Sequence, residues 1–251
     1  MSNSIVKALR NIQRKDIIWT DRHLSKTPFH PGFWVRKRLD EAIASHAKLA
    51  HGVLLDVGCG AKPFAKNFAP YVEKYFGLEY SPESGYRENN ADFCGDAAAL
   101  PLADKSVDTI LCTEVMEHVP DPEKTISEFA RVLRPGGTII TTAPFVYPIH
   151  DACDFFRYSP DGIAVIMKRY GLSVDEVKPL SGTAVTLAAM VNLFWYDIGF
   201  IWTKWLYPIG LVLRPILWLG CFVVNLLGGL FEVILPSRQM AFNHLTIASK
   251  K

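Results

Sequence analysis

Three acids each stand where the chain turns out of an apolar run. Asp56 closes "VLLDVGCG", Glu79 closes "YFGLEYS", and Asp96 follows the short run in "ADFCGDAAALP". Gly58 and Gly60 sit beside the first acid. Lacking a Cβ, they let a ligand approach the backbone and adopt dihedrals that other residues avoid. A carboxylate just before the first glycine suits an ammonium group and would repel a phosphate. Pro63 stands where a dinucleotide fingerprint needs glycine or alanine, which argues against a pyrophosphate on the helix that follows. An acid about twenty residues past such glycines accepts hydrogen bonds from ribose hydroxyls. Asp96, one strand further on, can accept from an adenine amino group. Singly, each acid could as well be a helix cap. In this order, beside these glycines, they converge on one crevice of a doubly wound sheet.

A second group lies in "APFVYPIHDACDFFRYSPDG". His150 could serve as a general base there, oriented by Asp151 or Asp154. Arg157, with Tyr158 beside it, could hold an anionic part of a second substrate. The competing reading is an Asp154–Arg157 pair and aromatic packing that only lock the loop. His118 in "MEHVPDP" is read as a helix-terminal structural residue. A metal held by His150 and its neighbouring acids would have too few ligands, so no metal is expected.

These residues need elements to position them. "GVLLDVGCG", "VEKYFGLEYS", "ADFC", "SVDTILCTEV", "GGTIITTAPF", "LSVDEVKPL" and "NHLTIASK" read as seven strands. "FWVRKRLDEAIASHAKLA" has helical spacing. "PEKTISEFARVLRPGG" reads as a helix stopped by Pro-Gly-Gly, and "SPDGIAVIMKRYG" as one with Ser159 as N-cap and Gly171 closing it. Strands alternating with helices predict an α/β fold with a parallel, doubly wound sheet.

In combination, "VLLDVGCGAKPF", "GLEYS" and "GDAAALPLADKSVDTILCTEVMEHVPDPEKTISEFARVLRPGGTIITTAPF" resemble the class I S-adenosylmethionine-dependent methyltransferases of the type 11 kind. The resemblance covers roughly residues 52–180 and the final strand. It implies a seven-stranded Rossmann-like sheet whose last strand is antiparallel. It implies S-adenosylmethionine as cofactor, bound along Asp56, Gly58, Cys59, Gly60, Glu79, Tyr80, Asp96, Ala97, Thr113 and Glu114. Oxygen methylation is the expected chemistry. Relatives with a "DFFRYSPDG"-like loop suggest a saccharide acceptor, by family analogy alone.

Between Thr183 and Pro236 the only charged residues are Asp197, Lys204, Arg214 and Glu232. Arg214 and the prolines interrupt the longer oily run, "PILWLGCFVVNLLGGLFEVILP", near the lower limit for spanning a bilayer. Strand six is expected parallel to its neighbours and the last strand antiparallel. The insertion then leaves and rejoins the domain on one edge, which forbids a single crossing. A monotopic hairpin or in-plane helices are expected, with Trp195, Tyr196, Trp202, Trp205 and Tyr207 as interfacial aromatics. Two crossings, a homodimer interface and a soluble core helix stay open.

The predicted organisation is a helical cap at 1–50, a methyltransferase domain at 51–182 and 237–251, and a hydrophobic helical insertion at 183–236. A hydrophobic fraction of 49% and a mean hydropathy of +0.13 are high for a soluble protein. A formal charge of +2 argues against a nucleic-acid partner. Basic clusters in "KALRNIQRK" and "VRKRL" are solvated helix faces or attract anionic lipid heads. Five scattered cysteines and no apolar leader predict a reduced, cytoplasmic setting, on the cytoplasmic face of the membrane. The expected acceptor is a lipid or a lipid-linked saccharide intermediate. The alternatives are a soluble dimeric small-molecule methyltransferase and a non-catalytic cofactor-binding scaffold.

Overall fold

The computed structural model describes residues 23–80, 90–149, 153–205 and 209–251. Among them are strands β1 (Val53–Val57), β2 (Lys74–Glu79), β3 (Phe93–Cys94), β4 (Val107–Thr113), β5 (Leu133–Pro144), β6 (Leu172–Pro179) and β7 (Asn243–Lys250). The helices are α1 (Phe33–His46), α2 (Ala65–Phe68), α3 (Pro122–Val132), α4 (Pro160–Arg169), α5 (Thr183–Trp205) and α6 (Ile209–Ile234). The chain divides into two compact units. One is Asp40–Leu180 with Phe242–Lys251; the other is Met1–Leu39 with Ser181–Ala241.

The first unit is built on one sheet of order β3-β2-β1-β4-β5-β7-β6. β1 to β5 run parallel, and β7 lies antiparallel between β5 and β6. β6 therefore shares the direction of the parallel strands, but its partner is the antiparallel β7. The expectation of parallel neighbours for β6 is corrected on this point, because the last strand takes the place beside β5.

Apolar side chains explain the layers. Leu55, Ile110 and Ile139 of the sheet are buried with Ile126, Phe129 and Val132 of α3 and Ile163 and Met167 of α4. Asp121 caps α3, accepting from the Lys124 amide at 3.0 Å, and Pro122 opens the helix. Ser159 caps α4 by accepting from the Gly162 amide at 3.1 Å, and Gly171 leaves that helix at φ +76.

Pro135-Gly136-Gly137 does not stop α3. The helix ends at Val132 and Leu133 is already extended, pairing with Val107 at the start of β5. The two glycines instead serve an irregularity in the β4–β5 ladder. Gly136 has φ +81, and a Cβ on Gly137 would come within 2.8 Å of the Asp108 carbonyl.

The chain leaves this unit after β6 and returns at β7. The Leu180 amide donates to the Asn243 carbonyl at 3.0 Å, so exit and return lie side by side at the carboxyl ends of the parallel strands.

In the second unit α5 and α6 pack along a seam of small and polar residues. A Cβ on Gly228 would meet the Ala188 Cβ at 2.5 Å. Buried Asn192 donates to Asn225 Oδ1 at 2.9 Å. Asn225 Nδ2 donates to the carbonyls of Pro28 and His30, and Trp34 Nε1 donates to the Asn225 carbonyl. Glu232 of α6 accepts from the Gly182 and Val185 amides, which neutralises the amino end of α5. The Thr183 amide donates to the Ser237 carbonyl at 2.8 Å, closing the hairpin at its base. The outer face of α6 stays bare: Ile216, Leu219, Val223, Leu226, Leu230 and Val233 are all exposed.

Candidate functional site

β1 delivers Asp56 to the floor of the site, where it is 2% exposed. Tyr75, on the neighbouring strand, donates its hydroxyl to Asp56 Oδ2 at 2.5 Å. Burial nonetheless raises the carboxyl to about 7. The Tyr75 bond and the charge of Lys62 oppose that shift, and Glu79 adds to it. A buried acid held near neutrality is poised to receive a cation.

Past Asp56 the chain turns tightly. The Gly58 and Cys59 amides both donate to the Leu78 carbonyl, which ties the turn to β2. At Gly58, φ is +69 and a Cβ would lie 2.3 Å from Val115 Cγ2. Glycine is thus required there by backbone and space together. At Gly60, φ is +47 and a Cβ would meet nothing within 4 Å among the described residues. Cys59 is buried, its thiol pushed up to about 12 chiefly by burial, so it stays a thiol and not a nucleophile.

Glu79 ends β2 next to this turn. Its Oε2 accepts from the Gly60 amide at 3.0 Å and its Oε1 from the Tyr80 amide at 3.1 Å. The Tyr80 side chain is 72% exposed. Asp96 follows β3 and is exposed; its Oδ1 accepts from the Ala98 amide at 2.8 Å, and Ala97 beside it is buried. Asp56, Glu79 and Asp96 thus lie at the carboxyl ends of the adjacent strands β1, β2 and β3.

β4 contributes Thr113 and Glu114. Glu114 has φ +55, and its carboxylate accepts from Thr142 Oγ1 at 2.7 Å and from Asn243 Nδ2. Burial raises its carboxyl. Glu117 follows on the same segment, and its side chain is fully buried. Among the described residues, neither of its carboxylate oxygens has a hydrogen-bond partner. Burial first, then the nearby Glu114, raises it to about 8. His118 Nδ1 lies 2.7 Å from the Cys153 carbonyl, and its Nε2 lies 3.7 Å from Glu117 Oε1.

The loop after β5 is anchored on this segment. The Phe155 amide donates to the Glu117 carbonyl at 2.8 Å, and the buried Tyr158 donates its hydroxyl to the Met116 carbonyl at 2.9 Å. Arg157 pairs both guanidinium ends with the buried Asp154 carboxylate. Its remaining donors reach the carbonyls of Tyr147, Pro148 and Phe156. All five N–H groups are therefore engaged within the loop. Asp154 and Arg157 thus form the pair named as one of the two readings, and with Tyr158 they tie the loop together. His150 and Asp151 lie outside the described residues. Ile149, Phe155 and Phe156 are exposed on the described part of this loop.

Sequence reasoning passed over Tyr75, Glu117 and Asn243. Tyr75 did leave a signal: it sits two and four residues before Gly77 and Glu79 on a period-two strand. Glu117 left a weaker one, an acid between the apolar Met116 and Val119. Asn243, which opens β7, left none.

Residues 55–141 match the family described as "Methyltransferase domain". A curated relative named only as an uncharacterized methyltransferase of Mycobacterium ulcerans is 40% identical over 99 residues. That match covers 37% of this chain, and the chain spans 39% of the relative's length. Phosphoethanolamine N-methyltransferase 2 of Haemonchus contortus, solved with S-adenosyl-L-methionine, aligns at a TM-score of 0.52 and 16% identity. The alignment covers 92% of this chain and 59% of that one. The [4+2]-cyclase SpnF aligns at 0.51 and 18%, covering 85% and 80%. Identities this low establish a shared fold, and the cyclase marks how widely that fold is used.

Proposed function

We propose, for a chain that carries a class I S-adenosylmethionine-dependent methyltransferase domain, that it works at a membrane surface. There it methylates a hydroxyl of a lipid or lipid-linked saccharide. The observation that carries this reading is the bare face of α6: within Leu213–Ile234 the mean hydropathy is 2.0 and only 17% of the most apolar window is buried. An exposed apolar stripe of that length needs a covering. Lipid fits it, because the seam behind the stripe is closed by Gly228 and by the Asn192–Asn225 pair, in the manner of helices packed in bilayers.

The site residues fit the cofactor. Asp56 suits its ammonium, Glu79 its ribose hydroxyls, and Asp96 its adenine amino group. Among the described residues nothing stands against the Cβ side of Gly60, which leaves room for close approach. When bound, the cofactor supplies an electrophilic methyl group, so the protein's work is to place the acceptor in line and exclude water. The frame made by Asp154, Arg157 and Tyr158 holds the exposed Phe155 and Phe156 beside the segment 114–118. Such aromatics suit the apolar part of a lipid or the face of a sugar ring.

Closure of the hairpin at Thr183–Ser237 keeps both its ends on one side of a bilayer. This favours a hairpin lying in the interface with the α6 stripe inward. The test has two arms. Full-length protein is expected in the membrane fraction after lysis, released by detergent. Radioactive S-adenosylmethionine, incubated with protein and a total cell extract, is expected to label the lipid fraction. Protein that stays soluble without detergent as a discrete dimer would overturn the membrane reading and make the stripe a contact between copies.

A further inference from the structure

Lys62 stands in the turn after β1, with a backbone that suits a lysine poorly. Its φ is +54, in the left-handed region, and it precedes Pro63, which favours an extended residue before it. Such strain persists where the surroundings hold it, and here the side chain shows what holds it. The Lys62 amide donates to the Cys59 carbonyl at 2.8 Å, closing the turn. A Cβ on Gly77 would collide with Lys62 Cε and Cys59 Sγ, so the lysine stem needs the bare backbone of β2 beside it. Beyond Gly77, Nζ donates to Asp92 Oδ2 at 2.5 Å, and the same oxygen accepts from the Gly77 amide at 2.7 Å. The Lys62 side chain is 17% exposed and that of Asp92 is 42% exposed. Water therefore screens the anion of this pair more than the cation.

The pair adds little as a strap. The Asn90 amide donates to the Gly60 carbonyl at 2.9 Å and the Asp92 amide to the Gly77 carbonyl at 2.8 Å, so backbone already ties this segment to the turn and to β2. The cation has a second neighbour. Nζ lies 5.9 Å from the centre of the Tyr75 ring, and the Tyr75 hydroxyl donates to Asp56 Oδ2 at 2.5 Å. A cation at the ring draws electron density towards itself and makes the phenol a stronger donor. We propose that Lys62 is a positioning residue for the cofactor: through the Tyr75 ring and by its own charge it keeps Asp56 in the carboxylate form that an ammonium group needs. The inference rests on the reading of Asp56 as the ammonium site. Burial raises the Asp56 carboxyl to about 7 and Glu79, at the end of β2, adds to that; Lys62 is the positive charge set against them. Cys59 in the turn, Tyr75 on β2 and Cys112 on β4 also adjoin Asp56. Burial pushes all three up, so they stay neutral and leave the field to Lys62 and Glu79.

The first test uses full-length protein without cofactor. The Asp56 carboxyl carbon, labelled with 13C and assigned by its loss in Asp56→Asn, is followed by NMR from pH 4 to 9. Lys62→Met keeps the stem and removes the charge, so the Asp56 midpoint should move up by about one pH unit. Asp92→Asn breaks the ion pair and keeps the cation, so the midpoint should not rise. Calorimetry with S-adenosylhomocysteine is the second test. At pH 6, Lys62→Met should bind about ten-fold more weakly than the parent, and the gap should narrow above pH 8. A strap would instead make Lys62→Met and Asp92→Asn alike, with binding weakened equally at every pH. An unmoved midpoint in Lys62→Met, or an equal rise in both variants, overturns the role of Lys62. Parent-like binding by Asp56→Asn overturns the ammonium reading, whatever the midpoint does.

Discussion

Asp56 is the residue whose chemistry is most exposed to pH. Folded, it keeps its proton to about 7 against an ordinary 3.8. The folded state therefore holds more protons across that window, and the Asp56 contribution to stability falls as pH rises from 3.8 to about 7. Binding has the opposite slope. A cationic amine meets a carboxylate only after the proton leaves, so affinity for S-adenosylhomocysteine should tighten as pH rises towards 7. It should slacken again at higher pH, where the amine itself loses its proton. Calorimetry between pH 5.5 and 9 should trace this rise and fall in the parent. Asp56→Asn should bind at least ten-fold more weakly and lose the rising limb. Arg157 makes the opposite kind of contribution. Replacing it with alanine strips the buried Asp154 of its counter-charge, and thermal unfolding should report a loss of roughly 3–5 kcal/mol. The placement of the acids and glycines could be read from the sequence because each follows an apolar run that becomes a strand. Tyr75 and Asn243 could not, because a hydroxyl or an amide turned inward leaves no mark in composition. Arg157 was legible only as a choice between two roles, which depends on how many of its donors the loop itself engages.

At the scale of elements, strand and helix identities followed the periodicity closely, and β7 emerged at Asn243–Lys250, the segment read from "NHLTIASK". The misreading at Pro135-Gly136-Gly137 arose because glycine breaks a helix and bends a strand for the same conformational reason. Only the pairing of Leu133 with Val107 decides between the two roles. The hairpin of α5 and α6 was legible as two oily helices, but not its seam. Two asparagines 33 residues apart do not announce themselves as partners. The seam makes a sharp prediction. Gly228→Val drives its side chain against Ala188, where even a Cβ would sit at 2.5 Å. The helices should be forced apart at a cost of about 1–3 kcal/mol, read as faster proteolysis between residues 183 and 236. Cofactor affinity, which belongs to the other unit, should not change.

At the scale of the whole molecule, residues 184–235 should be dispensable for the sheet. Exit and return are already joined by the Leu180–Asn243 hydrogen bond, so a short Gly/Ser link has little distance to cover. The shortened protein should stay in solution without detergent and bind S-adenosylhomocysteine within about three-fold of the parent. It should lose transfer to the lipid fraction of the extract. If cofactor binding disappears as well, the two units are not separable.

The placing of β7 also orders events in time. β6 finds its partner in β7 alone, and β7 closes the gap beside β5 only after the whole hairpin has been synthesised. Until then β6 is a strand without a ladder and β5 a raw sheet edge, the kind of surface that recruits stray chains. The oily hairpin thus emerges in full before the sheet can be sealed. Completion of the sheet is thereby tied in time to completion of the hairpin that precedes β7.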